Sequence, residues 1–305
     1  MTKAIYLSVC GLALIAFLGS AIAGETLGRG VLHPMVRQLT QSSIQASQQV
    51  LRGAGGFPEG FVVLARDGVL LRGWKVPSTS ANGDWVLLFH GVSDNRTGMT
   101  GQAAMLLRHG YGVIMMDSRA HGESGGNMAT YGWVERQDTR AIVEALNSAE
   151  MPRHVFALGS SMGAAIALQS AAIEPRIAGV VAESSFSNLR EVTFDYTGLH
   201  WSPWLGKTLF RPGAWALVSA AQKEGGFSID EVSPEKSVRV RPFPVLLICD
   251  GADHVVPCRH SRRIFKAAAG PRGLWEVPGA GHASAIGFEP AEYERRVIAF
   301  FDNLR

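Results

Sequence analysis

Short runs that are apolar at almost every position recur along the chain, among them Val86–Phe89, Val113–Met116 and Pro244–Ile248. Continuous apolar runs of this length suit strands buried on both faces of a parallel sheet. Between them lie stretches that read as helices: Thr100–His109, Val134–Glu150, Ala164–Ile173, Arg259–Ala268 and Glu289–Leu304. Strands alternating with helices predict right-handed β-α-β crossovers. Phe61–Ala65 and Val69–Lys75, split by Asp67-Gly68, read as an opening β-hairpin. The expected fold class is α/β, with a mostly parallel central sheet and helices on both faces.

Two stretches depart from this alternation. Ala4–Ala23 is a 20-residue run without a charge after Lys3, long enough to span hydrocarbon as a helix. Ala21-Ile22-Ala23 before Gly24 also has the small-residue form of a signal cleavage site. Residues 1–23 are therefore read as a membrane anchor or a signal peptide. The protein is then membrane-associated, or exported after cleavage. Residues 24–60, Gln/Ser-rich and then Gly-rich, read as a stalk or linker with a helix around Pro34–Leu51, leading into a domain over 61–305. The second departure is 186–241, between a strand at Ile177–Glu183 and the strand at 244, which holds Phe194, Tyr196, Trp201, Trp204, Phe210 and Trp215. A connection that long has its own structure or a function, and its aromatics are expected to line an apolar pocket or to pack the stretch onto the core.

Candidate chemistry begins at Gly159-Ser160-Ser161-Met162-Gly163. This G-x-S-x-G follows an apolar strand and precedes a helix, the context of a nucleophile elbow. Glycines on both sides let strand and helix approach the strained turn, which lifts the Ser161 hydroxyl to a helix N-terminus. A serine nucleophile needs a base, and the base an orienter. Asp253 follows the strand ending at Cys249-Asp250, and His282 follows Leu274–Val277. Each thus sits past the C-terminal end of a predicted strand, the edge where open α/β sheets build their sites. Asp253 is the expected acid and His282 the base, with Glu183 and, less favoured, Asp250 as substitutes for the acid. The oxyanion donors are expected to be the backbone amides of Met162, after the nucleophile, and Val92, in the loop after Trp85–Phe89. His90 in that loop is read as structural.

With these residues assembled, the chain resembles the α/β-hydrolase superfamily, in the branch of serine aminopeptidase-like and acylglycerol lipase-like proteins that includes membrane-anchored members. The resemblance is carried by Phe89–Arg96, by Asp117-Ser118-Arg119-Ala120-His121-Gly122-Glu123-Ser124, by Gly159–Gly163, by Gly251-Ala252-Asp253 with Val256-Pro257, and by Gly281-His282. It implies an α/β-hydrolase fold with a cap after strand six and a Ser161–Asp253–His282 triad acting through an acyl-enzyme. Arg119 and His121 are then structural. The expected function is hydrolysis of a carboxylic ester or related acyl bond. A peptidase or thioesterase with the same triad is the first alternative, and a silent binding module the second. A peptidase that holds a free amine needs a carboxylate near the pocket, for which Glu183, Glu191 and Asp195 are candidates. The expected partners are a small, apolar acyl substrate and, through the N-terminal segment, a membrane.

Composition changes the picture little. A net charge of +3 and 18% charged residues, with the basic ones scattered, give no phosphate-tracking groove, so no nucleic acid partner is expected. No P-loop, dinucleotide fingerprint or zinc spacing occurs, so no cofactor or metal is expected. Of three cysteines, Cys249 and Cys258 flank the acid loop. They can form a disulfide in an oxidising compartment, with two partly buried free thiols the favoured reading. Oligomeric state is left open.

Overall fold

The computed structural model describes residues 18, 19, 22, 28, 30–197, 203–208 and 210–305. Most of Ala4–Ala23, with Cys10, lies outside the described residues, as does Trp201. Among the described residues no helix is long and apolar enough to cross a membrane.

Eight strands form one sheet: β1 (Glu59–Leu64), β2 (Leu70–Val76), β3 (Trp85–Phe89), β4 (Gly112–Met116), β5 (Val155–Ser160), β6 (Ile177–Glu183), β7 (Val245–Asp250) and β8 (Arg272–Val277). Their order is β1-β2-β4-β3-β5-β6-β7-β8. The β1–β2 and β2–β4 pairs are antiparallel and all others parallel. The expected hairpin forms around Gly68, whose φ of +84° suits glycine. Strand residues alternate between two cores. Leu87, Phe89, Ala157 and Leu247 face one side. Val86, Leu88, Leu158 and Ile248 face the other. The first core is covered by α3 (Glu135–Glu150), α4 (Met162–Ile173), α8 (Pro234–Val240) and α9 (Arg259–Ala267). The second is covered by α1 (Gln41–Gly53), α2 (Thr100–Arg108), α10 (Ala285–Phe288) and α11 (Pro290–Asp302).

The N-terminal helix is shorter and later than the sequence suggests. It starts at Gln41 because Thr40 caps it: the Thr40 side chain accepts from the Ser43 amide, and the Ser43 side chain accepts from the Thr40 amide. The stretch from 31 onward is also not a free stalk. Leu32 and Leu51 are fully buried. The Leu32 carbonyl accepts from the Ala129 amide at 2.8 Å, and the Val31 carbonyl from the Tyr131 hydroxyl at 2.7 Å. Polar composition misled here because α1 is amphipathic, with only its Ser47–Leu51 face covered.

Between β6 and β7 run α5 (Leu189–Thr197), α6 (Pro203–Lys207), α7 (Arg211–Gly225), a 3₁₀ turn at Ile229–Glu231 and then α8. The expected boundary at 241 is too late. Val238 of α8 joins Phe243 and Ile264 in the sheet's own core, so α8 is a layer helix and not part of an insertion. The helices before it share a third core of Leu189, Val192, Val218, Phe227 and Val232, which includes Leu32.

Candidate active site

The C-terminal ends of β5, β6, β7 and β8 lie side by side, with Ser160 opposite Glu183, Glu183 opposite Ile248, and Asp250 opposite Val277. The loops leaving them meet on one edge. Ser161 sits in the turn from β5 to α4 with φ 56° and ψ −117°, a conformation costly for any residue but glycine. Two glycines make it possible. A Cβ on Gly159 would overlap the Gly163 carbonyl, and one on Gly163 would overlap that of Phe89. The Ser161 amide donates to the Glu183 carbonyl at 2.9 Å, which ties the turn to β6.

His282 Nε2 lies 2.8 Å from Ser161 Oγ, and His282 Nδ1 lies 2.6 Å from Asp253 Oδ2. The structure thus brings Ser161, His282 and Asp253 into one hydrogen-bonded string. The other Asp253 oxygen accepts from the Val255 and Val256 amides, each at 2.8 Å. Burial opposes ionisation of Asp253. The His282 hydrogen bond and charge, the Val256 amide and the Ser184 hydroxyl outweigh it and hold the carboxyl below its ordinary range. A carboxylate in this position fixes the proton on Nδ1 and leaves Nε2 free to accept from Ser161.

Glu183 and Asp250 do not reach the imidazole. Glu183 is fully buried and accepts from the Ala285 amide at 2.9 Å and the Tyr293 hydroxyl at 3.3 Å. Burial and its acidic neighbours push Glu183 up to about 8. Glu191 pairs with Lys207 and Arg263, and Asp195 with Arg259 and His260.

The loop after β3 passes directly over Ser161, and a Cβ on Gly91 would stand 3.7 Å from Ser161 Cβ. Val92, Ser161 and Met162 line one cavity. Among the described residues neither the Val92 nor the Met162 amide donates a hydrogen bond. His121 Nε2 meets the Val92 carbonyl at 2.6 Å and fixes that loop. Burial pushes His90 down to about 3. It is neutral, donating from Nδ1 to the Gly91 carbonyl and accepting the Ser118 amide at Nε2. Arg119 binds Asp138 through two nitrogens at 2.7 and 2.6 Å, away from Ser161.

The cavity measures about 1080 Å³ and its walls are mainly apolar, with Tyr131, Phe186, Leu189, Val192, Phe210 and Leu217 prominent. Its lining also includes Val31, Pro34 and Met35, so the N-terminal segment helps to build it. No Asp or Glu is among the described residues that line it.

Sequence reasoning missed two features. Ser184, just past β6, lies 2.6 Å from Asp250 Oδ2 and 2.9 Å from Asp253 Oδ2. A second string, Ser187 Oγ to His260 Nδ1 at 2.9 Å and His260 Nε2 to Asp195 at 2.9 Å, is sealed from solvent and locks α5 onto α9. The Ser187 amide also donates to Nδ1 at 3.2 Å, so Nε2 carries the proton. No local motif marks either feature, since both join residues dozens of positions apart.

Cys249 and Cys258 form a disulfide with Cα atoms 5.3 Å apart, against the sequence expectation of free thiols. The end of β7 and the start of α9 approach closely because the loop of 250–257 doubles back: the Gly251 amide donates to the Val277 carbonyl and the Ala252 amide to the Ala280 carbonyl.

An eight-stranded, mostly parallel α/β sheet with a serine on a strained strand-to-helix turn defines the hydrolase class of this architecture. The chain belongs to the alpha/beta hydrolase family, whose model matches residues 86–296. Among related proteins, an uncharacterized Mycobacterium tuberculosis protein is 34% identical over 226 residues, covering 72% of this chain and 71% of its own. The uncharacterized Bacillus subtilis protein YqkD is 26% identical over 252 residues, with 80% and 79% covered. Among solved structures, an esterase of Pyrococcus furiosus superposes with a TM-score of 0.69 at 23% identity, covering 89% of this chain and 99% of that one.

Proposed function

We propose that the protein is a serine hydrolase that cleaves carboxylic esters of apolar acyl groups through an acyl-enzyme. The observation that carries this reading is the Ser161–His282–Asp253 string, at 2.8 and 2.6 Å, opening into a large apolar cavity. His282 takes the Ser161 proton as Oγ attacks the carbonyl. Asp253 holds the tautomer and stabilises the imidazolium. The Val92 and Met162 amides receive the oxyanion. His282 then passes its proton to the leaving alkoxide and activates water for deacylation. The absence of acidic residues among the described cavity walls supports an ester over a peptide with a free amine, and Glu183, Glu191 and Asp195 are engaged elsewhere. A thioester is served by the same chemistry.

We further read Ala4–Ala23 as placing the enzyme at a membrane, or across one after cleavage. The Cys249–Cys258 disulfide supports an oxidising compartment for the domain. Two measurements test the activity. Wild type is expected to react with a fluorophosphonate and to prefer longer acyl chains in a series of p-nitrophenyl esters. Ser161→Ala is expected to lose both labelling and turnover while keeping its circular dichroism. Labelling retained in that variant would sink the assignment.

A further inference from the structure

Three carboxyl groups are buried behind His282: Glu183, Asp250 and Asp253. None forms an ion pair with Arg or Lys among the described residues; the imidazole of His282 is the one basic partner, on Asp253. Ser184 Oγ stands between two of them, 2.6 Å from Asp250 Oδ2 and 2.9 Å from Asp253 Oδ2. Both separations are hydrogen-bond distances, and a hydroxyl has one proton to give. Two ionised carboxylates would leave one of these contacts without a proton between its oxygens. The count closes only when one carboxyl is protonated.

The surroundings say which one. Asp253 is enclosed by donors: the His282 ring on Oδ2, and the Val255 and Val256 amides on Oδ1. Asp250 is poorly supplied. Its Oδ1 is buried without a partner, and its Oδ2 receives the Ala283 amide at 3.0 Å besides facing Ser184. An ionised carboxylate with one buried oxygen unpartnered among the described residues is costly.

We propose that Asp250 is a protonated carboxylic acid that donates to Ser184, whose hydroxyl donates in turn to Asp253, so that both act as positioning residues holding the Asp253 carboxylate against His282. All hydrogen bonds then run toward Asp253 from Asp250 through Ser184 on one side and from His282 on the other. The groups facing Asp250 are Glu183 and Ser184 from the end of β6, Asp253 from its own loop, His282 and Ala283 from the loop after β8, and Tyr293 from α11. Burial raises Asp250 and also keeps Glu183 neutral, up to about 8, while Asp253 is held low. The cluster thus carries a single negative charge, placed beside the imidazole that becomes positive during the reaction. Ser184 holds this bridge with φ 52°, a left-handed backbone unusual for a residue other than glycine.

The kinetic part of the test rests on the hydrolase reading; the spectroscopic part does not. In wild-type protein, the ¹³C signal of the Asp250 carboxyl is expected at the position of a protonated acid throughout the pH range of activity. A signal at the carboxylate position overturns the proposal whether or not the protein proves to be an esterase. In kinetics, Ser184→Ala and Asp250→Ala are each expected to lower kcat about tenfold with little change in KM, the scale of one hydrogen bond to a charged group. The double variant is expected to be no worse than the poorer single one, because both residues act through one chain. The acid limb of kcat/KM is expected to stay in place in Asp250→Ala. Had Asp250 been charged, its loss would favour neutral His282 and move that limb to lower pH. A limb displaced downward in Asp250→Ala alone, additive losses, or full activity in Ser184→Ala overturns the proposal. Wild type without activity would instead count against the hydrolase reading and leave the carboxyl signal to decide this one.

Discussion

Asp253 and Glu183 stand on neighbouring loops of one sheet edge, and each has the chemistry to orient a histidine. Geometry separates them. Asp253 Oδ2 lies 2.6 Å from His282 Nδ1, whereas both Glu183 oxygens are taken by Ala285 and Tyr293. Asp253→Asn is therefore expected to lower kcat by about 10⁴-fold, the cost of the wrong imidazole tautomer in serine protease chemistry. Glu183→Gln is expected to keep most turnover, because its amide oxygen and nitrogen can serve Ala285 and Tyr293; steady-state kinetics of the two variants decide it. Glu183 leaves a second trace, in stability. Burial raises its folded pKa to about 8, above that of the unfolded chain. The folded state then holds a proton that the unfolded state has released, so this group stabilises fully below the unfolded value and progressively less as pH rises toward 8. Denaturant melts are expected to show wild type losing stability over that interval and Glu183→Gln losing less. Parallel curves for the two proteins would contradict a neutral Glu183.

At the scale of elements, the loop that carries Asp253 is closed at both ends. Cys249 is in β7, Cys258 immediately precedes α9, and the bridge spans a sequence separation of 9. Closing so short a loop contributes about 2–3 kcal/mol by the chain-entropy account. Its larger consequence here is local, since the loop's amides on Asp253 depend on the same backbone path. Cys258→Ser, or reduction of wild type, is expected to lower the melting temperature and to reduce kcat more than it raises KM. Unchanged kcat in fully reduced, folded protein would show that the loop keeps its shape unaided. The elements themselves were legible from the chain where local pattern and tertiary role agree. All-apolar runs became strands, and Gly159–Gly163 became the elbow, because its glycines answer a backbone clash that short-range sequence spells out. The Ser184 bridge and the buried His260–Asp195 pair were not legible, because each depends on which distant elements become neighbours, and local composition carries no record of that. The disulfide was legible only as one of two alternatives, because the path of the loop between Cys249 and Cys258 decides it.

At the scale of the whole molecule, the N-terminal stretch misled most, since a polar, glycine-rich composition resembles a linker. Packing makes it part of the domain. Leu51 of α1 is buried in the core over β2 and β3, and Leu32 in the core shared by α5, α7 and the chain around Val256. The same stretch supplies Val31, Pro34 and Met35 to the cavity that opens on Ser161. The stretch around 31–35 is thus part of a wall of the site. Two truncations test this role. A chain starting at Gly24 keeps every one of these contacts and is expected to be soluble and active on small esters. A chain starting at Phe61 cuts into β1 and leaves the holes of Leu32 and Leu51, each comparable to a large-to-small core change of roughly 2–5 kcal/mol. It is expected to accumulate poorly or to melt far below the longer form. Leu32→Ala in the full chain is the milder version, expected to lower stability by about 2–4 kcal/mol and to weaken turnover of long-chain esters more than short-chain ones, because Leu32 supports the cavity wall and not the Ser161 string. Equal losses on both ester classes would mean that the segment stabilises the domain without shaping the pocket.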